Sequence, residues 1–248
     1  MRYSQPQYGA LKLSNNPLAN CIKHFTVGKI AEGFTVNGGA TIVTDTIGLG
    51  FNFVSASSQR LSNTAPKITT YPFTVCALVK RTSVTGYNAV GGLRLDVTNE
   101  FEFYFDTGSH LGLYVNAPNG AEALVTTVTY TDLTRYYFVS FVVESATSRK
   151  IYMDGVLVKS STVSFAPNPA NTLYVGWGGG DYTNLVVPLF LMMDRALSAD
   201  EIFSLANNPW QVFAPLPAIS FTPAAGGAVA NWLKQGYWWN QSYGTMPR

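Results

Sequence analysis

Between positions 100 and 106 the chain reads Glu100-Phe101-Glu102-Phe103-Tyr104-Phe105-Asp106, with acids and phenylalanines on alternating positions. Successive side chains on a strand point to opposite faces, so Glu100, Glu102 and Asp106 would share one face and the three phenylalanines the other. Carboxylates gathered on one face can hydrolyse a glycosidic bond, one acting as acid and a second as nucleophile or base. The same alternation belongs to an ordinary half-solvated strand whose phenylalanine face fills a core and whose acidic face meets water. That second reading is the expectation here. His24 and His110 have neither a nucleophile elbow nor zinc-ligand spacing near them. Cys21 and Cys76 stand far apart without companion ligands and are expected as free thiols, Cys76 within a strand.

Binding chemistry has a better local candidate. Sugar recognition needs aromatic faces to stack on rings, and amides or carboxylates to meet hydroxyls. Trp177, Asp181, Tyr182 and Asn184 cluster around the turn Gly176-Trp177-Gly178-Gly179-Gly180 and form the candidate carbohydrate-binding patch. The competing role for Trp177 is packing at the end of a strand. Asp96, Asn99, Asp181 and Asn184 are oxygen donors of the kind calcium takes. Ordinary turn chemistry accounts for all four, so neither a metal nor a cofactor is expected.

The elements that must hold these residues are strands. Only 12% of the 248 residues are charged, against roughly a quarter in an average soluble domain. With 22 glycines, 13 prolines, 14 tyrosines and 15 phenylalanines the composition favours strands and turns. The 16 basic and 14 acidic residues are scattered, which argues against a nucleic-acid partner. The longest apolar run, 185–193, is interrupted by Pro188 and falls short of the roughly 20 residues that span a bilayer, so no membrane segment is expected. Residues 71–81 alternate with apolar groups on both faces, the mark of a central strand. Further strands are expected at 51–55, 100–106, 111–116, 123–130, 136–143 and 172–176, separated by turn-forming clusters.

Two local signals are sharper. In Lys150-Ile151-Tyr152-Met153-Asp154-Gly155-Val156-Leu157-Val158-Lys159 two β-rich runs flank an Asp-Gly pair, the signature of a hairpin with a type I′ turn. Farther on, Ser198 and Glu201 have capping-box spacing. Ile202, Leu205 and Ala206 then form an apolar stripe, and Asn207-Asn208-Pro209 ends the helix.

Taken in order, these pieces resemble the laminin-G-like, concanavalin A-like superfamily. Its C-terminal half runs through an aromatic strand, a Tyr-x-Asp-Gly hairpin, a glycine-rich turn, a strand and an Arg-Ala-Leu-Ser-x-x-Glu-Ile helix; here these are 135–143, 152–156, 175–180, 188–194 and 195–202. Upstream, Gly50-Phe51-Asn52-Phe53 and 72–80 resemble its first core strands. One departure is Tyr136-Tyr137-Phe138 where the family usually has a tryptophan. The resemblance, covering about 22–210, implies an all-β fold: a two-sheet antiparallel jelly-roll sandwich with one short C-terminal helix and extended terminal arms. Hydrolases of the superfamily carry Glu-x-Asp-x-x-Glu on one strand. Here the third acidic position is Phe105 and the acid comes one residue later, so no catalytic residue is assigned and a non-enzyme is expected.

The expected organisation is an N-terminal arm at 1–20, the sandwich at 21–210 and an aromatic-rich tail at 211–248. In the tail, Trp232, Tyr237, Trp238, Trp239 and Tyr243 are the candidate partner-binding residues, because aromatic anchors concentrate at interfaces. The run Asn208-Pro209-Trp210-Gln211-Val212-Phe213-Ala214-Pro215 resembles the ending of laminin-G-like proteins of bacteriophages. Residues 1–6 lack the apolar stretch of a secretory signal. These features lead to the expectation of a virion structural protein assembled in the host cytoplasm: a capsid decoration, head-fibre or tail component. Its expected partners are other virion proteins, further copies of itself and surface glycans. The alternative is a carbohydrate-binding or adhesion module at a bacterial surface.

Overall fold

The computed structural model describes residues 8–12 and 16–215. In chain order the strands are β1 (Tyr8–Lys12), β2 (Ile22–Val27), β3 (Ile30–Glu32), β4 (Thr35–Asn37), β5 (Thr41–Asp45), β6 (Gly48–Phe53), β7 (Arg60–Asn63), β8 (Phe73–Arg81), β9 (Asn88–Asp96) and β10 (Asn99–Phe105). They continue as β11 (His110–Ala117), β12 (Gly120–Thr129), β13 (Tyr137–Ser145), β14 (Ser148–Met153), β15 (Val156–Ser161), β16 (Thr172–Val175), β17 (Trp177–Gly178), β18 (Asp181–Tyr182), β19 (Leu185–Met193) and β20 (Phe213–Pro215). Two short helices, α1 (Pro17–Cys21) and α2 (Ala199–Asn207), complete the set.

Two antiparallel sheets make the sandwich. The seven-stranded sheet has the order β12-β11-β10-β9-β16-β7-β4. The nine-stranded sheet runs β15-β14-β13-β8-β19-β2-β3, with β6 beside β19 and β5 beside β6. The alternation in β8 explains its place at the middle of the larger sheet. Phe73, Val75, Ala77 and Val79 face the other sheet, while Cys76 and Leu78 belong to a second buried cluster on the opposite face. Across the sandwich, Phe101, Phe103 and Phe105 complete the main core, and Phe73 meets Phe101 edge to face at 5.2 Å.

Helix α2 belongs to the second cluster through Ile202, Leu205 and Ala206, joined by Trp210, Val212 and Phe213. Its capping box forms as expected: the Glu201 backbone N–H donates to Ser198 Oγ at 3.3 Å, and the Ser198 N–H donates to the Glu201 carboxylate at 2.9 Å. The Asp-Gly hairpin joins β14 to β15 with φ of 50° at Asp154 and 84° at Gly155, the left-handed pair a type I′ turn requires. Asp154 is held there because its carboxylate accepts from the Phe138 N–H at 2.9 Å. A Cβ at Gly155 would sit 3.1 Å from Ala206 and Phe203, so the turn abuts α2. At the two ends of the described chain, β1 pairs with β20, which joins residues from both segments read as arms. Trp232, Tyr237, Trp238, Trp239 and Tyr243 lie outside the described residues.

Candidate binding cleft

The acidic strand does not meet water as expected. Glu100 is 7% exposed and Glu102 only 3%. The phenylalanine face fills the core, as the alternation requires, but the outer face of β10 is covered by the glycine-rich hairpin of β17 and β18. Trp177 pairs with Tyr182 and Gly178 with Asp181 in that hairpin. The close approach needs glycine: a Cβ at Gly178 would lie 2.5 Å from Glu102 Cγ, and one at Gly179 2.6 Å from Glu102 Oε2. Covering an acidic face with bare backbone is thus what leaves Glu102 buried.

The three acids also fail to stay together. Asp106 lies just past the end of β10 and closes the turn to β11, where its carboxylate accepts from the His110 backbone N–H at 2.8 Å and lies 3.0 Å from the ring Nδ1. The third outward position on the strand is taken by Tyr104, whose ring stacks on Tyr87 at 4.5 Å. What remains is a cleft of about 320 Å³ on the outer face of the seven-stranded sheet, near the lower end of the roughly 300–1,000 Å³ range of small-molecule sites. Glu100 and Glu102 of β10 line it with Arg94 of β9 and Tyr114 and Asn116 of β11, and Tyr87, Val97, Gly179 and Asp181 close it.

Electrostatics follow from this burial. Loss of solvent, reinforced by neighbouring Glu100, pushes the Glu102 carboxyl up to about 8. The nearby Tyr87 hydroxyl opposes that rise, while its own pKa is driven upward, first by burial and then by the Glu102 charge. Glu102 Oε1 has no hydrogen-bond partner. Burial raises Glu100 as well, against the pull of Arg94, whose Nε lies 3.5 Å from Glu100 Oε2. The Arg94 guanidinium also rests over the Trp177 ring, 5.1 Å from its centroid, and Trp177 packs against Tyr174 at 4.4 Å.

The four residues of the sequence-derived sugar patch are placed differently from one another. Asp181 lines the cleft. Trp177 stands behind it as the platform under Arg94. Tyr182 turns away and accepts a hydrogen bond from Arg60 Nη1 at 2.8 Å. Asn184 braces the loops, its amide donating to Ser55 Oγ at 3.0 Å and its backbone N–H to Asn88 Oδ1 at 2.9 Å. Sequence reading missed Tyr87, Arg94 and Tyr114. Tyr114 could have been found as an outward position on the expected strand 111–116, which pairs with β10. Asp96, weighed as a calcium donor, accepts from the N–H and hydroxyl of Thr98, both at 2.8 Å, which is turn chemistry.

Fold and cleft together define a class: a lectin-like two-sheet sandwich with a tyrosine-walled polar cleft on one outer face. Residues 55–203 match the family model described as the concanavalin A-like lectin/glucanases superfamily, and the chain belongs to that superfamily. Among solved structures, the binding domain of Paraclostridial Mosquitocidal Protein 1 superposes with a TM-score of 0.63 at 14% identity, over 78% of this chain and 53% of that one. A botulinum neurotoxin type C structure, from a protein whose cell entry depends on interaction with two ganglioside molecules, gives 0.62 at 12% over 78% and 53%. The binding domain of botulinum neurotoxin DC in complex with SialylT gives 0.61 at 12% over 76% and 51%. The likeness to these toxins is one of fold, and the chain spans about half the length of each. No curated protein matches the chain.

Proposed function

We propose that the chain is a non-catalytic carbohydrate-binding module whose site is the cleft between the outer face of β9–β11 and the β17–β18 hairpin. The observation that carries this reading is a small cleft lined by tyrosine rings, an amide and carboxyls. Sugars present apolar ring faces and many hydroxyl donors, and this lining offers a surface for each. A glycosidase needs an ionised and a protonated carboxyl flanking the bond. Here Glu100 is engaged by Arg94, Glu102 is roofed by Gly178 and Gly179, Asp106 is committed to its turn and the next outward position is a tyrosine. These commitments favour binding over hydrolysis, and the toxin binding domains of like fold support the same side. A glycan array followed by calorimetry tests it. Tyr114→Ala and Trp177→Ala should each weaken binding about tenfold, the loss of a stacking or supporting ring of roughly 1–1.5 kcal/mol. Failure to bind any glycan, or affinities unchanged in both variants, would refute the reading, as would release of sugar fragments.

Where the module works is a second proposal: a virion structural protein, as capsid decoration, head fibre or tail component, assembled through its termini with other virion proteins or further copies. The resemblance of 208–215 to phage-encoded laminin-G-like endings and the aromatic run 232–243 support it. Finding the chain in purified particles by mass spectrometry, and loss of oligomer or particle attachment on deleting 219–248, are the expected results. An unchanged native mass and unchanged attachment after that deletion would oppose it.

A further inference from the structure

Two charged groups of the cleft have hydrogen-bonding capacity to spare, and they carry opposite signs. Arg94 is held at one edge: its Nε lies 3.5 Å from Glu100 Oε2, and its Cζ lies 5.1 Å from the centre of the Trp177 ring. Neither Nη atom has a hydrogen-bond partner among the described residues, and neither is buried. Asp181, carried by the β17–β18 hairpin, is exposed, and its carboxylate accepts no hydrogen bond among the described residues. Both residues line the cleft, yet they form no ion pair with each other. The cleft thus offers donors from the sheet and an acceptor from the hairpin, each unsatisfied by the other. Asn116 adds a second acceptor: its amide nitrogen donates to the Val97 carbonyl at 2.7 Å, which leaves Oδ1 free. Glu102 takes no part, since its carboxyl lies beneath Gly178 and Gly179.

A guanidinium edge presents N–H donors in a fixed fork that an ammonium cannot reproduce. Two adjacent hydroxyl oxygens on one ring can accept from such a fork, and each hydroxyl still has a proton to give to a carboxylate or amide oxygen. We propose that Arg94 and Asp181 are the specificity-determining pair of the cleft, and that its ligand is a neutral sugar with two free adjacent hydroxyls. Their oxygens accept from the Arg94 Nη edge and their protons go to Asp181 and Asn116, with the Tyr114 ring against the sugar. This rests on the carbohydrate reading above and names the ligand class and the residues that choose it. Net charge on the ligand is disfavoured from both sides. An acidic sugar would bring its carboxylate toward Asp181 and toward Glu100, which already holds Arg94; an amino sugar would set an ammonium against the guanidinium. A free amino acid matches both charges and is the competitor to be tested.

The test is calorimetry on the full chain at neutral pH. The neutral probes are lactose, maltose, cellobiose and mannobiose; the charged ones are sialyllactose, a glucosamine disaccharide and free leucine. The best neutral disaccharide should bind about tenfold more tightly than either charged sugar. Its affinity should change less than about twofold between low salt and about 0.5 M, because it brings no net charge. Arg94→Lys keeps the charge but loses the fork, and should weaken that sugar about tenfold or more. Arg94 also braces the hairpin, so Asp181→Asn, at an exposed position, supplies an independent variant. It should weaken the neutral sugar about threefold to tenfold and narrow the gap to sialyllactose, a shift that loosened structure alone would not produce. Unchanged affinity in both variants, or tightest binding of sialyllactose or the glucosamine disaccharide, would overturn this assignment while leaving the carbohydrate site standing. Leucine binding as tightly as any sugar, with the same loss in Arg94→Lys, would overturn the assignment to sugar. No binding of any glycan would overturn both readings.

Discussion

Replacing Glu102 by glutamine removes one proton-binding site and keeps the side chain's size and a hydrogen-bonding head. The carboxyl is moved from 4.5 to about 8 in the folded protein. In an unfolded chain it returns to the ordinary value, so between these limits the folded state binds more protons than the unfolded one. Stability must then fall as pH rises through that window, because the slope follows the excess of protons bound by the unfolded state, which is negative here. At about 1.4 kcal/mol for each tenfold change in proton affinity, the full loss is on the order of 5 kcal/mol, reached near pH 8, with about 3 kcal/mol already lost at pH 7. Glutamine does not titrate and escapes this loss. Thermal unfolding of both proteins from pH 4.5 to 8.5 should give similar midpoints at the acid end. At pH 7 the variant should melt roughly 10 °C higher, taking about 2–4 °C per kcal/mol for a domain of this size. Comparing the two curves cancels every other titrating group. Parallel curves across pH 5–8 would refute the burial argument and the electrostatic picture of the cleft with it.

Gly178→Ala should force the Glu102 carboxyl or the hairpin to move, since the new methyl would fall 2.5 Å from Glu102 Cγ. The expected cost is about 1–3 kcal/mol in denaturant unfolding, together with loss of glycan affinity. Arg149 of β14 is buried and crosses to the other sheet, where Nη2 donates to Glu122 of β12 at 2.7 Å while Nη1 donates to the Ala146 carbonyl at 2.7 Å. Arg149→Ala should cost about 3 kcal/mol, because it takes the cation from the half-buried Glu122 carboxylate and the guanidinium donors from the Ala146 and Val163 carbonyls, leaving Glu122 only Ser161 Oγ and Ala146 only the Phe165 N–H. A loss below 1 kcal/mol by chemical denaturation would show that the clamp is dispensable.

Those parts of the fold governed by neighbours in sequence were legible. The two-faced apolar pattern of β8, the Asp154-Gly155 turn and the Ser198–Glu201 box each rest on interactions within a few residues, and each forms as read. Strand β9 lies outside the strands expected from the sequence, and Gly91-Gly92 in its middle weakens the strand pattern. The structure needs glycine there for a reason no local pattern contains: a Cβ at Gly91 would lie 2.5 Å from the Tyr174 carbonyl oxygen of β16. Pro188 likewise looks like an interruption of the run 185–193. It falls where β19 changes partners from β6 to β2 and the register against β8 shifts, so a missing N–H is tolerated. The burial of Glu100 and Glu102 was read wrongly for the same reason. Alternation says which residues share a face, and only the hairpin some 75 residues farther along decides whether that face is wet.

That hairpin links the stability of the cleft to its chemistry. It is held to the sheet by aromatic and cationic contacts on both flanks, Trp177 with Tyr174 and Arg94 on one and Tyr182 with Arg60 on the other. Arg94 belongs to both functions, since the guanidinium that rests on Trp177 also neutralises Glu100. Without it the platform would lose its cation and two buried carboxyls would face each other with no positive charge among the described lining residues. Fixing the roof with the same residue that restrains the charge ties the cover over Glu102 to the charge balance of the cleft.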